Sequence, residues 1–156
     1  MELQVETILK ERGIGYRLIK LSQNAYTVDD VVKYSGGSVR PEEICKTIIL
    51  RGKKSGKMAA ILLRGKDKIS FPKVKKILGE EIGVADGEQV KEAAGVEPGA
   101  VCPFLVNVRL LVDAGVMDSE RINCGSGHHL YGLEFEAEDL AKAVDCEFVS
   151  LVKSVE

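Results

Sequence analysis

Lys46 stands in the run Ile44-Cys45-Lys46-Thr47-Ile48-Ile49-Leu50, at the start of an apolar strand. A lysine flanked by residues that seek burial is partly desolvated, and its long stem can reach into a cleft. Such a lysine can anchor a phosphate or a carbonyl oxygen; equally, it can be a strand-edge lysine that snorkels to water. A second candidate is Gly95-Val96-Glu97-Pro98-Gly99-Ala100-Val101-Cys102-Pro103-Phe104. Its glycines and prolines stiffen a turn with exposed backbone amides, which can hold a carbonyl or an oxyanion without any side chain. The plainer reading is a tight helix-to-strand connection. A third is Cys124-Gly125-Ser126-Gly127-His128-His129-Leu130-Tyr131-Gly132, which holds both histidines of the chain. Adjacent histidines on a strand point to opposite faces, so they do not readily serve one ion. Zinc wants three or four ligands, and no second ligand pair is present. A cleft-facing histidine that bonds a substrate fits better, beside a satisfied surface one.

The four cysteines, Cys45, Cys102, Cys124 and Cys146, form no Cys-x-x-Cys pair. That excludes a zinc knuckle and a thioredoxin-type redox motif. They read as reduced thiols packed as small hydrophobes. Cys102 with His129 can be drawn as a nucleophile and base. There is no Gly-x-Ser-x-Gly elbow, no phosphate loop and no dinucleotide-binding glycine motif.

These residues must be positioned by a chain of 156 residues, 45% hydrophobic and 29% charged. That is one domain with a real core, and the composition is neither disordered nor membrane-spanning. The N-terminus is acidic where a secretory signal would be basic and then apolar, so the expected location is cytoplasmic. The net charge of −2 hides an asymmetry. Residues 1–39 balance at 0, residues 40–76 hold 12 basic and 3 acidic side chains for +9, and residues 77–156 sum to −11. A +9 segment is the footprint of a polyanion partner, or the solvated face of a hairpin and a helix. No helix-turn-helix, zinc finger or basic zipper is present, which argues against DNA.

Five apolar stripes at helical spacing recur: Val5/Ile8/Leu9, Val28/Val31/Val32, Val74/Ile77/Leu78, Val90/Ala93/Ala94 and Leu140/Ala143/Val144. Gly13, Gly36, Gly79 and Gly95 follow four of them as C-terminal caps. Thr27-x-x-Asp30 and Asp86-x-x-Gln89 read as capping boxes, and Pro72 suits a first helical turn. Strand-like runs are Tyr16–Leu21, Thr47–Leu50, Met58–Leu63, Leu105–Val112, Leu130–Phe135 and Glu147–Val152. Arg51–Lys57 would join the second and third as a basic hairpin. The expected architecture is a mixed α/β domain with a sheet of about six or seven strands flanked by helices.

Taken in order, Thr27–Val32, Glu43–Leu50, Gly95–Phe104, Leu111–Asp113 and Gly125–His129 resemble the YbaK/prolyl-tRNA synthetase-associated editing domain family. The resemblance runs from about Val5 to about Val152. It implies one editing domain over residues 1–156, folded as a partly open, mixed β-barrel with surrounding helices and using no metal or cofactor. It implies an aminoacyl-tRNA deacylase acting in trans on mischarged tRNA, alanyl or cysteinyl esters of proline tRNA foremost. The implied partners are the aminoacylated 3′ end of tRNA and a synthetase, with no membrane and no DNA.

Residue by residue, Lys46 matches the strand lysine that anchors the tRNA 3′ end, and Gly99 opens the Gly-x-x-x-Pro loop whose backbone holds the aminoacyl group. Those two are the catalytic candidates. Ala100, Val101, Cys102 and Pro103 complete the loop. Tyr26, Thr27, Thr47 and Asp113 are implied as substrate-binding or supporting residues. Gly125, Ser126, Gly127, His128 and His129 are implied as the far side of the pocket, with His129 as its histidine ahead of His128. Water would attack the ester while loop amides hold the oxyanion and the substrate's 2′-hydroxyl assists. Two features depart from the family pattern: Val31-Val32, where many relatives carry small residues, and Cys102 inside the loop. A non-catalytic module that binds the tRNA acceptor end on the same fold is the alternative, and a Cys102-dependent hydrolase a third reading.

Overall fold

The computed structural model describes residues 2–154. The five apolar stripes lie on helices, save Val144 just past the last one: α1 (Gln4–Glu11), α2 (Val28–Tyr34), α3 (Phe71–Leu78), α4 (Gly87–Ala94) and α5 (Leu140–Ala143). The local reasons are visible at their ends. Asp86 and Gln89 form the full reciprocal capping box on α4. Ser70 caps α3 and Pro72 sits in its first turn. Gly79 and Gly95 close α3 and α4 in the left-handed conformation. At α2 the expected box is only half made. Thr27 accepts from the Asp30 amide, but the Asp30 carboxylate turns away and accepts from the Tyr26 amide at 2.9 Å. It thereby pins the residue before the cap.

Eight strands form two sheets: β1 (Tyr16–Lys20), β2 (Cys45–Gly52), β3 (Met58–Arg64), β4 (Ile82–Val84), β5 (Arg109–Asp113), β6 (Arg121–Gly125), β7 (Tyr131–Glu136) and β8 (Glu147–Val149). The smaller sheet has the order β1-β7-β6 and is antiparallel throughout. The larger has the order β4-β2-β3-β5-β8, antiparallel at β4-β2-β3 and parallel at β3-β5-β8. An isolated parallel bridge between Ile44 and Asn123 links them. The class and the helix count agree with the sequence reading. The two sheets, joined by that one bridge, do not close, which leaves the expected barrel open. β4 and β6 lie outside the six strand-like runs read from sequence, and Leu105–Val108 of the fourth run is turn and loop. Asn107 donates its amide to Ala93 O there instead of to a ladder.

β3 explains the near-continuous apolar run. It sits mid-sheet and is covered on both faces. On one face Ile49, Ala60, Leu62, Leu110 and Val112 pack with apolar residues of α1, α4 and α5 and with Ile122, Leu133 and Phe135 of the smaller sheet. On the other, Leu50, Ile61, Leu63 and Leu111 pack under Val74 of α3. A third cluster, Ile19, Leu21, Ala25, Val39 and Ile44, seats α2. Among the described residues no helix is long and apolar enough to cross a membrane.

Candidate active site

β4 pairs with β2 only along Leu50–Gly52. The preceding stretch of β2, paired with β3 on its other side, therefore has no strand on this edge, and a cleft of about 790 Å³ opens along it. Cys45–Ile49 line it on one side, with the start of α2, the Pro98–Val101 loop, the end of β6 and the two histidines as the other boundaries.

Lys46 is half-buried there, and its Nζ donates to Gly65 O at 3.1 Å. Burial pushes its ammonium below the ordinary lysine range; the negative Asp67 pulls the other way and Lys68 adds to the depression. Gly65 begins the turn after β3, which Arg64 and the buried Asp67 staple by a 2.7 Å ion pair. The turn is pressed against α2: a Cβ on Gly65 would stand 3.0 Å from both methyl carbons of Val28.

The loops opposite interlock through glycine. Gly99 has φ +101, and a Cβ there would lie 2.7 Å from Tyr26 O. A Cβ on Gly125 would lie 2.3 Å from Val101 O. Gly127, also at positive φ, donates its amide to Ala100 O at 2.8 Å. Three backbone segments thus touch where side chains would hold them apart. Among the described residues neither the Gly99 nor the Val101 amide donates to another protein group. Those two donors border the cleft.

The histidines divide. His128 accepts from the Leu130 amide through Nδ1 at 3.1 Å and packs edge-on to Tyr131. His129 bonds Ala25 O through Nδ1 at 2.9 Å and lies against Tyr26, ring centroids 4.5 Å apart. Tyr26 is 54% exposed at the rim. Its ring is an open aromatic face, of the kind on which a nucleobase stacks.

Of the residues singled out from sequence, Lys46, Thr47, Tyr26, Thr27, Gly99, Ala100, Val101, Gly125, His128 and His129 line this one cleft. Val31 and Val32 line it too. Cys102, Pro103, Ser126, Gly127 and Asp113 do not. Asp113 is buried and accepts from the Leu151 amide at 2.8 Å and the Gly115 amide at 2.9 Å. Ser126 is buried and bonds Tyr131 O at 2.6 Å, which closes its own loop. Cys102 is buried in the main core, where desolvation pushes its thiol up to about 12. Burial likewise pushes Cys45 up to about 12 and raises Cys124 well above the ordinary thiol value. No thiolate stands ready beside His129. Sequence reasoning missed Gly65, Lys66 and Asn123, which also line the cleft. Among the described residues no group of three or more His, Cys, Asp or Glu is placed to hold a metal ion.

The basic segment is only partly used within the protein. Arg64 pairs with Asp67 and Asp118, Lys75 pairs with Glu81, and Lys73 bonds Val152 O. Arg40, Arg51, Lys53, Lys54, Lys57, Lys66, Lys68 and Lys76 make no ion pair among the described residues. The hairpin tip is held instead by Glu80, whose carboxylate accepts from the Lys54 and Ser55 amides at 2.9 Å each. The hairpin's own cations are left to solvent.

The chain is similar to several known proteins. A proline–tRNA ligase of Desulfotalea psychrophila is 26% identical over 110 residues, 68% of this chain. The match spans 19% of that ligase's length. The crystal structure of a hypothetical protein superposes with a TM-score of 0.86 at 26% identity, covering 96% of this chain and 99% of that one. A protein described as a candidate trans-editing enzyme for prolyl tRNA synthetase superposes with a TM-score of 0.82 at 20% identity, covering 96% and 95%. At that identity it shares the fold. The family model of the aminoacyl-tRNA editing domain matches residues 22–143, from just after β1 to the end of α5. That span holds all of the cleft's lining except Ile19 and Leu21, and the chain is a member of the aminoacyl-tRNA editing domain family.

Proposed function

We propose that the protein is a trans-acting deacylase for mischarged aminoacyl-tRNA, with alanyl or cysteinyl esters of proline tRNA as its substrates. One observation carries this reading. Lys46 and the free amides of Gly99 and Val101 border one cleft, beside an aromatic rim and without a reactive thiol. An aminoacyl ester is already activated, so positioning and oxyanion stabilisation suffice. The 3′ end of the tRNA enters the cleft and Lys46 anchors it. Water adds to the ester carbonyl, the amides receive the developing oxyanion, and the substrate's 2′-hydroxyl assists the proton transfer. Collapse breaks the bond to the 3′ oxygen, which takes up a proton and leaves as free tRNA. The unpaired cations of residues 40–76 supply a surface for the acceptor phosphates.

The test is a panel. Alanyl-, cysteinyl-, seryl- and prolyl-esters of proline tRNA are incubated with wild type, and loss of each ester is compared with its spontaneous rate. Selective loss of one non-cognate ester is the expected result. If tRNA binds but no ester is lost above background, the protein is a binding module on this fold. Cys102→Ser is expected to keep deacylation within about 3-fold of wild type, since a buried protonated thiol takes no part. The extra hydroxyl in an apolar site lowers stability by about 1–2 kcal/mol, read as a fall in Tm. Near-complete loss of activity with the fold intact would bring a cysteine mechanism back.

A further inference from the structure

Three buried side-chain polar atoms have no hydrogen-bond partner among the described residues: Thr47 Oγ1, Asn123 Oδ1 and His129 Nε2. All three residues line the cleft. Buried polar atoms are rarely left unpaired, so three on one cavity point to a ligand that completes them.

Their chemistry narrows the ligand. Ala25 O can only accept, so His129 Nδ1 carries the proton, and Nε2 of the neutral ring is an acceptor. Asn123 is 3% exposed, with its Nδ2 turned to Glu43 Oε1 at 3.5 Å. Across the β6–β7 pair from it stands Glu134, the carboxylate that Arg17 holds in a two-pronged pair at 3.1 Å. The Glu43 carboxylate fixes the amide with its nitrogen toward it, and its oxygen is left as a second acceptor. The same carboxylate polarises that amide and enriches its oxygen in charge. Thr47 can donate or accept. Two fixed acceptors and no fixed donor call for a ligand group rich in N–H.

We propose that Asn123 Oδ1 and His129 Nε2 receive the free α-ammonium of the esterified amino acid, so that the cleft selects against N-acylated esters. This rests on the deacylase reading above. An aminoacyl ester offers three N–H donors beside the reacting carbonyl. A formylated or peptidyl ester offers one, on a larger and uncharged group. Asn123 is then a specificity-determining residue that separates aminoacyl from peptidyl or formylated tRNA.

The test uses non-hydrolysable probes, with ester hydrolysis by the same preparation measured alongside. These are 3′-alanylamino-3′-deoxyadenosine and its lactoyl and N-acetylalanyl counterparts, with binding followed by calorimetry. Wild type is expected to bind the alanyl probe at least ~10-fold tighter than the lactoyl probe, the size of a charged hydrogen bond. The N-acetyl probe should bind no better than the lactoyl one. Asn123→Leu should bring alanyl and lactoyl affinities within ~2-fold of each other by weakening alanyl binding alone. Equal affinity of wild type for both probes, or binding of neither, overturns the proposal. That comparison needs no variant, so a poorly folded Asn123→Leu does not obstruct it. A preference for the amine without ester hydrolysis leaves amine recognition standing and removes the deacylase reading. Hydrolysis with equal affinities does the reverse.

Discussion

Lys46→Ala is expected to lower kcat/KM for ester hydrolysis by ~10–100-fold, the worth of one hydrogen bond to a charged group. The fold should hardly notice. The ammonium makes one bond to a protein group, Gly65 O, and is otherwise desolvated at a cost. Removing it leaves a carbonyl at the cleft surface, so Tm should stay within a few degrees of wild type. The pH profile adds a second readout. Desolvation depresses the Lys46 ammonium, only partly offset by Asp67. Its charge is therefore lost at lower pH than that of an exposed lysine. Enzyme-dependent deacylation, corrected for spontaneous hydrolysis, should fall on the alkaline side before the ordinary lysine range is reached. For stability the sign is opposite: the unfolded chain keeps this proton longer, so raising pH between the two values favours the folded state through this group. Lys46→Arg stays charged throughout, and its residual activity should lack the alkaline fall. A wild-type rate in Lys46→Ala would remove the lysine from the site.

The helices were legible because each carries its own evidence within a few residues. Val90/Ala93/Ala94, bracketed by Asp86-x-x-Gln89 and Gly95, needs nothing from the rest of the chain to be recognised. The buried pair β2 and β3 was legible for a similar reason, two apolar runs about a glycine-bearing turn. β4 was not. Ile82-Gly83-Val84 is a strand only because Gly52 of β2 lies beside it, a pairing made across 30 residues (82 − 52). β6 hid behind its polar face: Asn123 stands across from Glu134 of β7, where an apolar alternation would have announced a strand. Neither pairing has a local signature, and sheet closure depends on the same long-range contacts.

The cleft was legible through backbone-shaping residues more than through reactive ones. Glycines at positions 99, 125 and 127 mark where the chain must approach itself, and the structure brings those segments together. Lys46 was visible as a charge inside an apolar run. Ser126 and Asp113 attract attention as polar residues in a motif, yet both spend their side chains on backbone amides and carbonyls. Asn123 gave no signal, because an asparagine in a short strand looks solvent-facing until its neighbours are known. Cys102 shows the converse. A thiol beside a proline in a functional loop looks reactive, but the loop turns that side chain into the core.

Gly99→Ala is expected to cost ~100-fold or more in kcat, in the range seen on losing an oxyanion donor. The geometry leaves the substitution no room. At φ +101 an alanine is strained, and its Cβ would sit 2.7 Å from Tyr26 O and 2.8 Å from Tyr26 Cα. Both obstacles are backbone, held by the Asp30 carboxylate on the Tyr26 amide, so no rotamer relieves them. The loop must move instead. The amides of Gly99 and Val101 move with it, and so does the contact that seats Tyr26 on His129. The strain itself is about 1–3 kcal/mol, which most domains tolerate without unfolding. Activity should therefore fall far more than Tm. Gly95 supplies the control on the same loop. It too has positive φ, at +73, but a Cβ there meets nothing within 4 Å. Gly95→Ala should lower Tm through strain alone and leave kcat nearly unchanged. Equal losses of kcat in the two variants would mean that loop strain matters and the approach of Gly99 to Tyr26 does not. A large loss in Gly99→Ala alone would place the oxyanion donors on that loop.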